Sequence, residues 1–316
     1  MTIDGMPFEL IDRIVAGRGF VDPSIATSIE TLQSAVSSRR PLCLGIAQSL
    51  RRLPAGSHVL LFTGFVVADR MPRGENDGPL GTVVLGRALQ RLGLHPEVWS
   101  DPEVLDTMRW LSAECRADLP IFPIDRSRLR ARMPSAAIAI EKPGRNGKGV
   151  MHTFDGLAIE NGSISVDELF RAWMANGVLT VGIGDRGNEV GFGSIAGVVR
   201  AIHPHAARCR CGCAGGVVAD TSSELLLPSA VSNWGAYGIA ASLALLTDDP
   251  GCSVTVTEEA RMLRTAAVRG CVDGVHRRGL FSVDAISGAV CLDVVRDLER
   301  LVALTRGSRD IEDACA

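Results

Sequence analysis

Two periodicities divide the chain. Short apolar runs that end on glycine or a turn residue alternate with longer stretches whose apolar positions recur every three or four residues. The first marks buried strands and the second amphipathic helices. Residues 58–63 read as a buried strand ending at Gly64; a Pro/Gly-rich loop over 71–79 follows, then a helix over 80–92 and a short strand over 94–99. Asp101-Pro102 caps and starts a helix running to about residue 115, because proline suits the first helical position. Further strands are predicted at 119–124, 136–140 and 178–183. A helix over 166–176 precedes the last of these, with Ser165 as its candidate N-cap and Glu168 three residues on. Helices over 233–246, 256–269 and 292–304 complete the pattern. Such alternation predicts an α/β fold, a mainly parallel sheet flanked by helices on both faces, three-layered and Rossmann-like. No internal repeat or low-complexity linker interrupts it. One domain over residues 1–316 is therefore expected, with residues 1–40 as a helical lead-in.

Composition narrows the class of partner. Hydrophobic residues make up 46% and charged residues 22%, a globular balance. A net charge of −3 and a pI near 6.1 give no field for nucleic acid or an anionic membrane. A single tyrosine among 4% aromatics leaves little for base stacking. Nine cysteines without a regular framework point to reduced thiols in the cytoplasm. Residues 1–19 carry acids and lack the basic start and apolar centre of a secretory signal. The longest apolar stretch, 239–246, is far short of the roughly 18–20 residues that span a bilayer. The expectation is a soluble cytoplasmic protein that handles a small molecule, with a homo-oligomer compatible with all of this.

In open α/β sheets, ligands sit outside the carboxyl ends of the strands. Four polar segments occupy such places. The first is Thr63-Gly64-Phe65 with Gly74-Glu75-Asn76-Asp77-Gly78, joining a strand to a helix. The second is Glu141-Lys142-Pro143-Gly144-Arg145-Asn146-Gly147-Lys148-Gly149, where Arg145 is suited to bidentate capture of a carboxylate. The third, residues 182–193, is the richest: an apolar strand breaks into glycines and presents Asp185, Asn188 and Glu189 within five residues. Its Gly182-x-Gly184-x-x-Gly187 spacing matches a dinucleotide fingerprint, but no acid ends a second strand about 20 residues on, and its own acids would repel a pyrophosphate. The fourth, Ser232-Asn233-Trp234-Gly235, opens a helix whose free N–H groups favour an anion. Cys209-x-Cys211-x-Cys213, preceded by His203 and His205, is tempting as a metal cluster. Its spacing is poor for zinc, which favours Cys-x₂₋₄-Cys with a second pair elsewhere, so reduced loop thiols are the expectation. His58, His95 and His276 receive no role.

Together these segments resemble the D-glutamate cyclase family, specifically its C-terminal domain. The resemblance is carried by Leu61-Phe62-Thr63-Gly64-Phe65, Glu75-Asn76-Asp77-Gly78-Pro79-Leu80-Gly81, Lys142-Pro143-Gly144-Arg145, the run from Gly182 to Gly191, and Ser232-Asn233-Trp234-Gly235, in order over roughly residues 5 to 305. Asn76, Lys142 and Arg186 stand where the family pattern has threonine, arginine and glycine.

The resemblance implies cyclisation of D-glutamate to 5-oxo-D-proline with loss of water, a lyase reaction. That chemistry needs a base for the α-amine, stabilisation of charge on the γ-carboxyl oxygens, a seat for the α-carboxylate and a chain folded on itself. On this reading Arg145, with the helix start at Ser232 and Asn233, seats the α-carboxylate, and Thr63 and Gly64 help to hold the substrate. Asp185 and Glu189 are base and acid or, with Glu75 or Asp77, ligate a divalent ion such as Mn²⁺ or Mg²⁺. Asn188 and the N–H groups of the loop carrying Gly184 and Gly187 face the oxyanion. Two rival readings are a non-catalytic binding protein for a small amino acid or carboxylate, and a metal-dependent hydrolase or lyase acting on another small carboxylate.

Overall fold

The structure, a computed structural model, describes residues 6–36 and 41–315. Its centre is a sheet of six parallel strands: β1 (His58–Thr63), β2 (His95–Ser100), β3 (Ile121–Pro123), β4 (Ala136–Ile140), β5 (Leu179–Gly184) and β6 (Leu225–Pro228). Their spatial order is β3-β2-β1-β4-β5-β6. The winding reverses between β1 and β4, and the loops that leave the two strands there diverge and open a crevice at their carboxyl ends.

The strands are buried on both faces because successive side chains point to opposite sides. Val59 and Leu61 of β1, with Ile138 and Ile140 of β4, join one core cluster. Leu60 and Phe62, with Ala137 and Ala139, join another under Phe170 and Trp173. The first face is covered by α4 (Pro79–Arg91) and α9 (Ser232–Thr247), backed by α1 (Met6–Val15), α3 (Leu42–Arg51), α10 (Val256–Arg269) and α11 (Gly288–Cys315). The second carries α6 (Arg126–Arg130) and α7 (Asp167–Ala175). This is a three-layer α/β fold. Helix α9 is apolar or small all round and buried from Ser232 to Leu245, as a helix packed on every side must be.

The expected lead-in is two helices, α1 and α2 (Pro23–Val36); residues 1–5 and 37–40 lie outside the described residues. Both helices pack on the fold, α1 against α9 and α11, α2 against β6 and against α8 (Ala196–Ile202). Strand β6, four residues ending at a proline, has no counterpart in the predicted elements.

Two expected caps are absent. Asp101 does not cap the helix that follows, which begins as a 3₁₀ turn and continues as α5 (Leu105–Glu114). Its Oδ2 instead accepts from Lys142 Nζ at 2.6 Å, and its Oδ1 from the Ile164 amide at 2.7 Å. Lys142 also donates to the Gly64 carbonyl, so one buried ion pair ties together the loops after β1, β2 and β4. Gly64 is at φ +103°, and a Cβ there would meet the Asp101 carboxylate at 2.9 Å. Ser165 likewise gives its hydroxyl to Asp167, while Glu168 turns outward to Arg130.

Removing the ammonium would strand a fully buried carboxylate. Lys142→Met is expected to cost about 3–5 kcal/mol in urea unfolding at neutral pH. The double variant Lys142→Met/Asp101→Asn should recover much of that loss, and a double variant no more stable than the single one refutes the pair as its source.

Candidate active site

Loops from four strands bring six carboxylates to the carboxyl edge of the sheet. Glu75 and Asp77 come from the β1–α4 loop, Glu141 directly follows β4, and Asp185 and Glu189 follow β5. Asp284 arrives from the turn between two short strands, β7 (Ser282–Val283) and β8 (Ile286–Ser287). Glu75, Glu141, Asp185 and Asp284 line one pocket, together with Asn188, Phe65, Phe154 and three arginines, Arg70, Arg186 and Arg277.

Burial dominates the electrostatics. It pushes the carboxyl groups of Glu75, Glu141 and Asp185 well above the usual range; neighbouring acids add to this in all three, and Arg186 opposes it at Asp185. Asp284 rises to about 8, chiefly through burial and then Asp185. Asp77 rises to about 7 through burial and Asp284, although three amide N–H groups pull it down. Glu189 rises through burial while the backbone N–H groups of its own loop oppose the shift. Like charges this close cannot all ionise, so at neutral pH the cluster retains protons.

The carboxylates differ in their partners. Glu75 makes no hydrogen bond through its buried Oε1. Asp185 Oδ2 accepts from Arg186 Nε at 2.7 Å. Glu141 accepts from the Ser232 hydroxyl at 2.5 Å and sits at φ +47°, a strained backbone for a non-glycine residue. Carboxylate oxygens of Glu141, Asp185 and Glu189 lie within 4.8 Å of one another, an arrangement able to hold a cation.

Several expected roles change with the geometry. Asp77 lies beneath the pocket, accepting from the Ser232 and Asn233 amides at 2.8 Å each, and so caps α9. Asn233 Oδ1 returns the contact by accepting from Gly78 and Gly81 at 3.0 and 2.7 Å, capping α4. The α9 start is therefore not a free anion seat, because its amides are taken. Glu189 accepts from the Arg186 and Gly187 amides at 3.2 and 2.8 Å, which removes those N–H groups as oxyanion donors. Asn188 gives its amide to the His152 carbonyl and leaves Oδ1 buried without a partner. Thr63 and Gly64 are buried behind the pocket rather than in its lining, and so is Gly184, where a Cβ would meet Glu189 at 2.8 Å. Arg145 lines a separate depression beside Met151 and Glu160, its amide held by Asp167.

Arg186 acquires a place. Its guanidinium pairs with Asp185, lies 5.2 Å from the centre of the Phe154 ring, and borders both the acid pocket and a second cavity of about 980 Å³ walled by α2 and α8. Arg70 is the less expected cation, with Nη1 buried and unpartnered at the pocket wall. Glu141 had a signal in the sequence, an acid directly after a strand that pairs with β5. Asp284, Arg70 and Arg277 had none.

The thiols of Cys209, Cys211 and Cys213 converge with His152, not with His203 or His205. Those two histidines line the larger cavity. No helix among the described residues is long and apolar enough to cross a membrane.

A parallel α/β sheet with a buried, multi-acid pocket at its topological switch point defines an enzyme-like site for a small polar molecule. A family model described as D-glutamate cyclase-like, C-terminal, matches residues 35–299, and the chain belongs to that family of enzymes. It is 27% identical over 210 residues to the human protein named D-glutamate cyclase, mitochondrial; the match takes in 60% of this chain and 33% of that protein. The chain thus spans about a third of the length of the curated relative it matches.

The raised carboxyl groups have a consequence for stability. Folded Asp77 and Asp284 titrate near 7 and 8 against an ordinary value of 3.8. Between those limits the folded chain holds more protons than the unfolded one, so stability falls as pH rises from about 5 to about 8. With chelator present, Tm should decline across that window, and Asp284→Asn should flatten the decline and raise Tm at the alkaline end. A Tm that is level or rising with pH contradicts the protonated cluster.

Proposed function

We propose that the acid pocket converts D-glutamate to 5-oxo-D-proline with loss of water. The family description and the relative's name support the substrate. The observation that carries the chemistry is two buried carboxyl groups in one pocket that differ in their partners: Glu75 has none, while Arg186 is paired with Asp185 and opposes the upward shift that burial imposes there.

The reaction balances within the substrate. The α-ammonium gives up two protons, its nitrogen bonds to the γ-carboxyl carbon, and one γ-oxygen leaves with both protons as water. Asp185 takes the first proton as general base, and the freed amine attacks. Glu75, protonated by burial, donates to the departing oxygen, Asp185 passes on the first proton to complete the water, and the second nitrogen proton reprotonates Glu75, which restores the starting state. Arg70 and Arg186 seat the carboxylates, replacing Arg145 in that role, and the Phe65 and Phe154 walls keep the chain folded back with little water. Glu189 and Ser232 hold the loop and Glu141 in position.

A second reading is supported by the close carboxylate oxygens of Glu141, Asp185 and Glu189. Hard oxygen donors suit Mg²⁺ or Mn²⁺, which would polarise the γ-carboxyl group when bound. The cytoplasm is the proposed setting, from the thiol-rich composition.

The test is purified protein incubated with D-glutamate, with 5-oxoproline quantified. Glu75→Gln and Asp185→Asn should each lower kcat by about 10²–10⁴-fold. Arg70→Ala should raise KM, while Arg145→Ala leaves both constants near wild type. Loss of turnover with chelator, restored by Mn²⁺, selects the metal reading. Binding of D-glutamate without turnover would falsify the enzyme assignment.

A further inference from the structure

The segment between α8 and β6 carries Cys209, Cys211 and Cys213 and folds them onto His152, which leaves the segment after β4. Cys209 Sγ lies 3.4 Å from Cys211 Sγ and 3.3 Å from Cys213 Sγ. His152 Nε2 lies 3.2 Å from Cys211 Sγ and 3.6 Å from Cys213 Sγ. We propose that these four side chains form a closed structural zinc site, with three thiolates and one imidazole as its ligands.

The donor set argues for the ion. Three soft sulfurs and one ring nitrogen are the Cys₃His set of structural zinc, and four protein donors leave no position for a reacting water. Zinc–sulfur bonds of about 2.3 Å in a tetrahedron place sulfurs about 3.8 Å apart, so the observed spacing needs to open by only about 0.4 Å. A disulfide is a different geometry, with sulfurs bonded at about 2.05 Å.

The Cys-x-Cys-x-Cys spacing is short for zinc in a regular hairpin or helix. Here the backbone bends out of regular structure, with Ala214 at φ +51° and Gly216 at φ +76°, and a Cβ on Gly216 would strike the Ala206 carbonyl. Residues 210–213 themselves run as bends and a turn, which lets three thiols two residues apart face a common centre. A second feature is independent of the cluster itself. Cys213 Sγ accepts from the Gly215 amide at 3.4 Å and from Asn146 Nδ2 at 3.5 Å, N–H···S contacts that support a ligating thiolate.

The site would join two segments that no strand or helix connects. His152 is followed by Thr153, Phe154 and Asp155, which wall the acid pocket, and its carbonyl receives the Asn188 amide. The ion would clip this wall to the cysteine loop. The inference stands on its own donors and does not depend on the reaction in the pocket.

The experiment is elemental analysis of the full chain purified without a metal-affinity step. The expected result is one zinc per chain, lost in Cys213→Ser and retained in Cys271→Ser. Titrating wild-type protein with a mercurial should release zinc in step with three thiols, which keeps the test open if Cys213→Ser fails to fold. Substituting Co²⁺ should give thiolate charge-transfer bands and the intense d–d bands of a tetrahedral site. Three outcomes overturn the proposal: metal-free protein that takes up neither Zn²⁺ nor Co²⁺, a mass two hydrogens low that maps to these cysteines, or iron with sulfide in place of zinc.

Discussion

The exchange of caps between Asp77 and Asn233 is the contact on which the arrangement of the pocket rests. Each residue sits at the start of one helix and satisfies amides at the start of the other. The helices follow β1 and β6, which are separated in the sheet by β4 and β5. The exchange therefore spans the carboxyl ends of the two middle strands, where Glu141 and Asp185 emerge. It requires close approach of the helices: a Cβ on Gly81 would meet the Asn233 Cα and the Ala236 Cβ at 2.8 Å. Each cap of this kind contributes on the order of 0.5–2 kcal/mol, but the geometric effect is larger. Two loops distant in sequence are locked in one register, and the Ser232 hydroxyl is delivered to Glu141 as a by-product of the second cap.

That rigidity makes an electrostatically unfavourable cluster tolerable. Glu141 is held among its neighbours by the Ser232 hydroxyl and by its amide's bond to the Ile183 carbonyl, and its own φ is strained. Strain and like-charge crowding at one site are stability withheld for another use. The cluster reduces its own repulsion by keeping protons and by importing Arg186. Asp77 shows the balance most clearly: three amide donors favour its ionised form, yet burial still carries it to about 7.

Five of the six sheet strands and the long helices of the core were legible in the sequence because their signal is local, while the short β6 was not. Residues 136–140 and 256–269 coincide with β4 and α10, since an unbroken apolar run and a Thr255 capping box need no distant partner. What was not legible depends on partners far along the chain. Asp101 looks like a cap until Lys142, 41 residues away, claims it inside a dry interface. Asp77, Ser232 and Asn233 look like site residues because they lie in site loops, but contacts spanning about 155 residues turn them into structure. Arg145 fails for the opposite reason: the loop after β4 turns back on itself, bridging Arg145 to Met151, and carries the guanidinium to another face. That Asp185 and Glu189 share the loop after β5 was readable from the sequence, while Asp284 enters from a two-strand turn a hundred residues on that bears no local mark. The convergence of the three cysteines on His152 was not legible either, because a spacing rule assumes regular backbone where this segment has none.

Arg186 ties these threads together. On the proposed reaction, a substrate with two carboxylates and one ammonium brings net negative charge into a pocket already lined by five acids. Entry is favourable only if most of those acids are neutral or paired, and the structure supplies both conditions, protons through burial and a cation at 2.7 Å from Asp185. Where a glycine stands at this position, the second condition has to come from elsewhere, for instance from a divalent ion on the same carboxylates. With arginine there, the guanidinium already engages Oδ2 of Asp185. A fixed positive charge beside the ligand set also opposes cation binding. On the proposed reaction, arginine at 186 therefore favours proton transfer over a metal on these carboxylates. It also makes the Phe154 wall, and whatever holds His152 behind it, part of the machinery that positions the charge.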